Sequence, residues 1–600
     1  MKIKINRSIL WAETFVNELA RNGVRYACLS PGSRNTPLTI AFASNKKIKT
    51  YVHIDERSSA FFALGLAKLT RTPVAIVCTS GTATAELYPA IVEAYQRRVP
   101  LIVCTADRPP ELHGVGANQT INQENMYRNH ILEFFNAGVP ETSVQSLSNL
   151  KEIASTAVLK SSITSTGPVH INFPFRKPFE PDAITDELSL AILKKIGKND
   201  TPVPAKKKIL PESQISNDIE KIASLISKTE RGLIVVGPND VDKGFIQRIV
   251  SLSNQIGYPI LADGVSQLRF GSQDKSLIIS NYDAIFRSKE FIDAHQPDLI
   301  LQFGRTITSK GLESFFERSH ANRFLINKYG DWFDPSRGAI KAISGEPSIS
   351  CDQIHRTLKK LNMIRRSGKW TEDFIVAERI ANNLRKKIVE NSPFPNEARV
   401  IPEVIASVPN RSRIMLSNSM PVRDFDYFAT NTDKEITVFD NRGASGIDGI
   451  ISTALGIASD HKYPTILITG DLAFYHDSNG LLAARKYRIP LVIVLINNNG
   501  GGIFEVLPIS KHRKYFKDYF LTPHNLDFSK VVSAYEGNYT LARSWNHFQQ
   551  SLKSSFKKNS FSVIEIKTNP KRSLAIRKRY WQQVEDALAA YVLKQNYKFD

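Results

Sequence analysis

Asp471 and Asn498 stand 27 residues apart, and each closes an apolar run of the kind that forms a buried strand. The stretch over residues 466–502 reads ILITGDLAFYHDSNGLLAARKYRIPLVIVLINNNGGG. In a parallel α/β sheet the carboxyl ends of the strands face the ligand crevice, and the crossover brings neighbouring strands side by side. One carboxylate (Asp471), one amide oxygen (Asn498) and a backbone carbonyl freed by the glycines (Gly500) are hard oxygen donors. They suit Mg²⁺ holding phosphates, with water completing an octahedron. The spacing therefore points to a magnesium–pyrophosphate site. Strand-end Asp residues and Asn-Gly turns also serve as plain caps and turns in any doubly wound domain.

Two further stretches favour the metal reading. In YVHIDERSSAFFALGLA (residues 51–67), Asp55 and Glu56 open a helix whose apolar face is Ala60, Phe61 and Leu64. An acidic residue in a first helical turn is also what the helix dipole alone favours. In VAIVCTSGTATAELYPAIVEA (residues 74–94) a strand passes through a Ser80-Gly81-Thr82 turn into a helix. Such a turn leaves backbone N–H groups free for an anion or a polar ring.

The elements that must carry these loops alternate along the chain. Strands are expected at residues 25–29, 74–78, 101–105 and 169–173, separated by helical segments. A polar connector, KKIGKNDTPVPAKKKILP (residues 194–211), reads as an interdomain linker. A second unit, with strands at 232–236, 258–262, 298–303 and 323–326, lacks the phosphate-site signals of its neighbours. The chain turns polar again near residues 366–369, and a long amphipathic helix at 371–390 leads into a third unit. Its strands are expected at 413–416, 436–439, 465–469, 491–496 and 562–566. This alternation requires an α/β fold, read here as three doubly wound parallel-sheet domains over residues 1–190, 191–368 and 369–600. There is no short repeat, so any similarity between the thirds is expected to be architectural.

Together these features resemble the thiamine diphosphate-dependent enzymes. In that superfamily a glutamate at a helix start touches the cofactor's aminopyrimidine, and a GD…NN segment far downstream holds its diphosphate through magnesium. The separation of about 415 residues between Glu56 and Asp471 fits the branch whose pyrimidine domain comes first. The resemblance narrows with LSPGSRNTPLTIAF (residues 29–42), HIDERSSAFFALGLAK, CTSGTATAELYPAIVEA, ADRPPELHGVGANQTINQ (106–123), GPVHINFPFRKP (167–178) and NRGASGIDGIISTALG (441–456). These resemble the 2-succinyl-5-enolpyruvyl-6-hydroxy-3-cyclohexene-1-carboxylate synthases of menaquinone biosynthesis. The middle third matches less well, RTITSKGLESF (305–315) being its best piece.

The resemblance implies pyrimidine-binding, central and diphosphate-binding domains, in that order. It implies that Glu56 activates thiamine diphosphate through the pyrimidine ring, and that Asp471, Asn498 and the Gly500 carbonyl bind Mg²⁺ or Mn²⁺. Ser80, Gly81, Thr82 and Leu472 are the implied further cofactor contacts. Ile503 and Phe504 would buttress the bent cofactor, with a plain core role as the alternative. The implied substrates, 2-oxoglutarate and isochorismate, are both dicarboxylates, and guanidinium groups pair bidentately with carboxylates. Candidates are Arg34 in PGSRN, Arg108 in ADRPP, Arg423 in SNSMPVRD and Arg442 in NRGASG, with Lys310 in TSK as a fifth cation. For each arginine a structural salt bridge is the alternative. Gly311, after Lys310, stands where some relatives carry a second basic residue. Ser33, Gln119 and Ser419 are implied hydrogen-bonding partners of substrate, although Ser33 could instead cap a helix beginning near Pro37. A homodimer or homotetramer with shared sites is also implied. Another thiamine diphosphate-dependent 2-oxo acid carboligase or decarboxylase is the alternative activity. A non-catalytic relative would be expected to lose Glu56 or Asp471, and both are present.

Bulk properties exclude other classes. The chain has 600 residues, which is too long for one domain. Its net charge of +21 is scattered, without a basic module or the aromatic-and-basic interleaving of single-strand binders, so no nucleic-acid partner is expected. The four cysteines form no close pair, which fits a reducing compartment. No apolar run is long enough for a membrane span, and the opening MKIKINRSILWAETFVNEL lacks an apolar signal core, so a cytoplasmic protein is expected.

Overall fold

The apolar runs read as strands carry little polar alternation, and parallel strands covered on both faces require none. In the computed structural model, which describes residues 2–189, 212–239, 243–363 and 368–596, they assemble into three six-stranded parallel sheets. In the first domain β1 (Lys2–Ile5) pairs antiparallel with β8 (Asp186–Ser189) outside the main sheet. The sheet itself holds β2 (Tyr26–Leu29), β3 (Lys49–Val52), β4 (Val74–Cys78), β5 (Leu101–Asp107), β6 (Phe134–Asn136) and β7 (Pro168–Pro174), in the order β3-β2-β4-β5-β7-β6. The central sheet holds β9 (Gly232–Val236), β10 (Ile260–Ala262), β11 (Ile278–Ile279), β12 (Leu299–Phe303), β13 (Asn322–Asn327) and β14 (Lys341–Ser344), in the order β11-β10-β9-β12-β13-β14. The third holds β15 (Ser412–Leu416), β16 (Ile436–Asp440), β17 (Thr465–Gly470), β18 (Val492–Asn497), β19 (Asn538–Leu541) and β20 (Ser562–Lys567), in the order β16-β15-β17-β18-β20-β19.

The first and third sheets therefore share one strand order and the central sheet has another. In both matching sheets the order reverses beside the first-formed strand, and such a switch point opens a crevice at the carboxyl ends. Side chains on one strand alternate between two cores. Ala27 and Leu29 pack with the helix Arg7–Arg21, and Cys28 between them packs with the helix Glu56–Thr70. Likewise Ile414 and Leu416 face the core shared with the central domain, while Met415 faces the core shared with the first. All four cysteines are buried and free.

Every expected strand is present, some a residue or two longer or shorter. The strands not expected, β1, β3, β6, β8, β11, β14 and β19, are short, and most are half-exposed edges or lie outside the main sheets. They have little apolar run to reveal them. The helix expected at 371–390 is Lys369–Arg385 followed by one π-helical turn, Lys386–Glu390. The connector at 194–211 lies outside the described residues, as do residues 366 and 367 of the second polar stretch.

The first and third domains meet through the helices Glu56–Thr70 and Ile450–Ala458, both deeply buried. Their crossing is close because Gly65 and Gly456 face each other. A Cβ on Gly65 would lie 2.1 Å from the Thr453 carbonyl oxygen, and one on Gly456 would lie 2.2 Å from the Phe62 carbonyl oxygen. Backbone cannot yield as a flexible side chain would, so Gly65→Ala is expected to cost about 1–3 kcal/mol of stability through forced separation of the helices. Equilibrium denaturation in urea checks this; an unchanged midpoint would mean that the crossing is not tight.

Candidate active site

At the carboxyl edge of the first sheet, the loops after β2, β4 and β5 bring Arg34, Ser80, Arg108 and Gln119 together. Arg108 donates to the Ser80 hydroxyl and, at 3.5 Å, to Gln119 Oε1. Arg34 donates to the Phe175 carbonyl at 2.7 Å and lies over the Phe179 ring. Burial lowers the pKa of both guanidiniums, and Arg108 lowers that of Arg34 further by charge repulsion. Gln119 adopts φ 54°, with its backbone against Gly81. Ser33 is exposed. It does not cap with its hydroxyl: the helix Thr36–Ser44 has no side-chain cap, and Ser33 accepts the Thr36 N–H through its carbonyl.

The Ser80-Gly81-Thr82 turn departs from expectation. Its Gly81 N–H is not free but donates to Gln123 Oε1 at 2.9 Å, and Ser80 is fully buried, while Thr82 is exposed. The reason is a buried relay behind the turn that the sequence did not announce. His170 Nε2 meets Thr105 Oγ1, Thr105 donates to Asn172 Oδ1, and Gln123 Nε2 donates to the same oxygen. Asn172 Nδ2 then donates to Asp107, beside Arg108. The relay fixes both the turn and the arginine.

Glu56 is the first residue of its helix, with Asp55 as N-cap accepting from Ser58 N–H at 2.9 Å. Glu56 is half-buried, and burial raises its carboxyl pKa, opposed by its own backbone N–H and assisted by Asp55 and Glu86. Its neighbours reach the third domain: Arg57 donates to the His476 carbonyl, and Asn479 donates to Asp55 at 2.5 Å.

At the carboxyl edge of the third sheet, loops after β15 and β16 bring Ser419, Arg423 and Arg442 together. Arg423 donates to the Ser419 carbonyl at 2.6 Å. Burial lowers the Arg423 pKa and the nearby Arg442 adds repulsion. Ser419 has φ 72°, a left-handed value uncommon for serine and of the kind concentrated at functional sites. Among the described residues none of Arg34, Arg108, Arg423 and Arg442 makes an ion pair with a carboxylate, so the salt-bridge alternative does not hold for them. Lys310 differs. It is exposed at the start of the helix Lys310–Phe316 in the central domain and pairs with Glu313, with no contact to either arginine pair.

Asp471 opens a helix directly after β17, and Asn498 follows β18, the adjacent strand. The Asp471 carboxylate is buried and its pKa is raised by burial, against hydrogen bonds from Gly500 N–H (2.9 Å), His524 and Leu472 N–H. The Gly500 carbonyl accepts from Gly502 N–H. Asn498 Oδ1 is shut off from solvent and has no hydrogen-bond partner, a condition that costs roughly 1–3 kcal/mol if nothing takes it. A buried carboxylate beside an orphaned amide oxygen fits a hard divalent cation. Ile503 and Phe504 are half-buried in a short 3₁₀ helix, with Phe504 edge-on to Phe520, so neither is a core residue. His524 and Glu397, which touches Asn498, were invisible to spacing because they lie 53 and 101 residues from their partners.

Among the described residues no hydrogen bond or ion pair joins Glu56, Arg34 or Arg108 to Arg423, Arg442, Asp471 or Asn498 within one chain, although Asp55 and Arg57 beside Glu56 reach Asn479 and His476.

The chain matches the N-terminal TPP binding domain of thiamine pyrophosphate enzymes over residues 11–126, their middle domain over 204–416 and their C-terminal TPP binding domain over 427–566. It is 39% identical to the 2-succinyl-5-enolpyruvyl-6-hydroxy-3-cyclohexene-1-carboxylate synthase of Geobacillus kaustophilus, covering 97% of this chain and 98% of that protein. The proteins of the same name from Haloquadratum walsbyi and Myxococcus xanthus are 38% and 39% identical, covering 96% and 89% of this chain and 98% and 90% of theirs. In fold it is similar to benzoylformate decarboxylase from Polynucleobacter necessarius, with a TM-score of 0.67 at 14% identity over 93% of this chain and 98% of that one.

The relay predicts a pH dependence. Burial lowers the His170 pKa from 6.5 to about 3, so the ring is neutral in the fold and takes up a proton on unfolding. Stability from this group is complete above the unfolded value and is lost as pH falls from about 6.5 towards 3. His170→Gln, which cannot titrate, is expected to flatten the acid decline of unfolding free energy between about pH 6.5 and 4.5. Denaturant melts across that range measure it; identical slopes would refute the buried neutral ring.

Proposed function

Because the chain belongs to the 2-succinyl-5-enolpyruvyl-6-hydroxy-3-cyclohexene-1-carboxylate synthase family of thiamine diphosphate-dependent enzymes, we propose that it decarboxylates 2-oxoglutarate and adds the remaining four-carbon unit to the ring alkene of isochorismate, in menaquinone biosynthesis. Bound thiamine diphosphate supplies a carbon nucleophile for the 2-oxo acid and an electron sink for loss of CO2. The observation that carries the substrate reading is the set of four arginines in two mutually repelling pairs without carboxylate partners. Guanidiniums held half-buried beside one another call for anions, and both proposed substrates are dicarboxylates.

Arg34 and Arg108, with Ser33 and Gln119, would hold carboxylates from the first sheet's edge, and Arg423, Arg442 and Ser419 from the third. Lys310, engaged with Glu313, would need to swing free to contribute. Glu56 would hold a proton between its carboxyl oxygen and the pyrimidine ring, a task favoured by its raised pKa. Asp471, Asn498 and the Gly500 carbonyl would hold Mg²⁺ or Mn²⁺ against the diphosphate. Leu472, Ile503 and Phe504 would line the cofactor, with Ser80, Gly81 and Thr82 at its pyrimidine end. Thr82 is the member of that turn with its surface open; Ser80 and Gly81 would act through the wall they form. A site completed by a second copy, in a homodimer or a dimer of dimers, follows from the family reading. No helix among the described residues is long and apolar enough to cross a membrane, and the cytoplasm is the proposed location.

Purified protein with thiamine diphosphate, Mg²⁺, 2-oxoglutarate and isochorismate is expected to consume isochorismate and form the adduct by mass, with all four components required. CO2 release without adduct would overturn the acceptor, and turnover of pyruvate alone would favour another carboligase. Glu56→Gln is expected to lose at least about a hundredfold in kcat while remaining folded and able to bind cofactor; wild-type turnover would remove Glu56 from its role. Sedimentation of the active species as a monomer would overturn the shared site.

A further inference from the structure

An amide side chain presents either its oxygen or its NH2 to a ligand, and the choice is made by whatever accepts the N–H on the other side. Asn498 Nδ2 donates to Glu397 Oε1 at 3.1 Å, which turns Oδ1 the opposite way, buried and without a partner. Glu397 has no freedom to release it. It opens the helix Glu397–Ser407, is 2% exposed, takes the Thr568 hydroxyl on Oε1 at 2.9 Å and takes Arg577 on Oε2 at 2.8 Å. The space beside the amide is equally fixed, since a Cβ on Gly502 would lie 2.4 Å from Asn498 Nδ2.

Asp471 is set in a parallel way by a segment on the far side of the glycine loop. Leu526 N–H donates to His524 Nδ1 at 3.0 Å, so that nitrogen is the acceptor and the ring proton sits on Nε2. Nε2 lies 3.2 Å from Asp471 Oδ2, which also receives Gly500 N–H. Two donors thus occupy Oδ2, while Oδ1 accepts only the adjacent Leu472 N–H at 2.8 Å and keeps a lone pair for a cation.

We infer that Glu397 and His524 are positioning residues that preset the Asn498 amide oxygen and the Asp471 carboxylate for the divalent ion, an inference that rests on the metal reading given above. Neither side chain touches the ion's place; each decides which atom of a ligand faces it. The rival explanation is structural: Glu397 holds the helix Pro570–Asn596 through Arg577, and His524 merely closes a loop. The two explanations separate in the metal affinity of protein that is folded.

Mg²⁺ binding in the presence of thiamine diphosphate is measured by titration calorimetry on the full-length protein, alongside the melting temperature without metal. His524→Leu is expected to weaken Mg²⁺ binding roughly 10- to 100-fold with little change in the metal-free melting temperature, and His524→Gln, whose amide can still donate, to restore most of it. Glu397→Gln can turn its NH2 to Asn498 and is expected to weaken Mg²⁺ about tenfold. Should that variant not fold, His524→Leu decides alone. Wild-type Mg²⁺ affinity in His524→Leu, or a loss that tracks only the melting temperature, would overturn the inference. A wild-type protein that takes up no Mg²⁺ with thiamine diphosphate would instead overturn the metal reading beneath it.

Discussion

The close crossing of the helices Glu56–Thr70 and Ile450–Ala458 constrains everything else in the molecule. Gly65 and Gly456 permit backbone-to-backbone contact, and that distance fixes how the first sheet stands against the third. One helix begins at Glu56. The other follows the 441–446 loop that carries Arg442. Polar contacts around the crossing reinforce the same geometry. Glu93 of the first domain accepts the N–H groups of Gly443 (3.0 Å) and Ala444 (2.7 Å), and Lys68 donates to Asn441 Oδ1 at 2.7 Å. The loop holding Arg442 is thereby fastened to the first domain although it belongs to the third.

Arginine placement follows a second constraint. Elsewhere in this chain buried guanidiniums are neutralised: Arg269 meets Asp426, Arg577 meets Asp424 and Glu397, and Arg323 meets Asp334. Arg34 and Arg108, which are buried, and Arg423 and Arg442, which are half-buried, have no such carboxylate at the two carboxyl edges. Leaving a buried charge without a carboxylate partner is costly, and here that cost falls at the carboxyl edges of two sheets.

Much of this was legible in the sequence. Central strands announce themselves because both faces are buried and the run is apolar throughout, as in VAIVC and VIVLIN. The motif-bearing turns stand out by their clustered Gly, Asp and Asn, and they lie at the carboxyl ends of strands in the first and third sheets. What escaped were the contacts between distant segments. Nothing near Glu397, His524 or His170 in sequence signals their partners, because each acts through tertiary packing. The free N–H expected at Gly81 was misjudged for the same reason, since Gln123, which occupies it, lies 42 residues on. Edge strands such as β3 and β19 were missed because half-exposed residues look like loop.

The shared strand order of the first and third sheets gives the separated groups a common logic. In each sheet the polar loops follow the strands flanking the switch point: Arg34 after β2 and Ser80 after β4, Ser419 after β15 and Asp471 after β17. The two crevices share a topology but not a lining: one carries a helix-starting glutamate and arginines, the other a buried aspartate, an orphaned amide oxygen and arginines. The central sheet, in the order β11-β10-β9-β12-β13-β14, has a switch point of its own between β9 and β12, and Lys310, after β12, is held there in an ion pair. The helix crossing at Gly65 sets the angle at which the two carboxyl edges stand to each other within one chain.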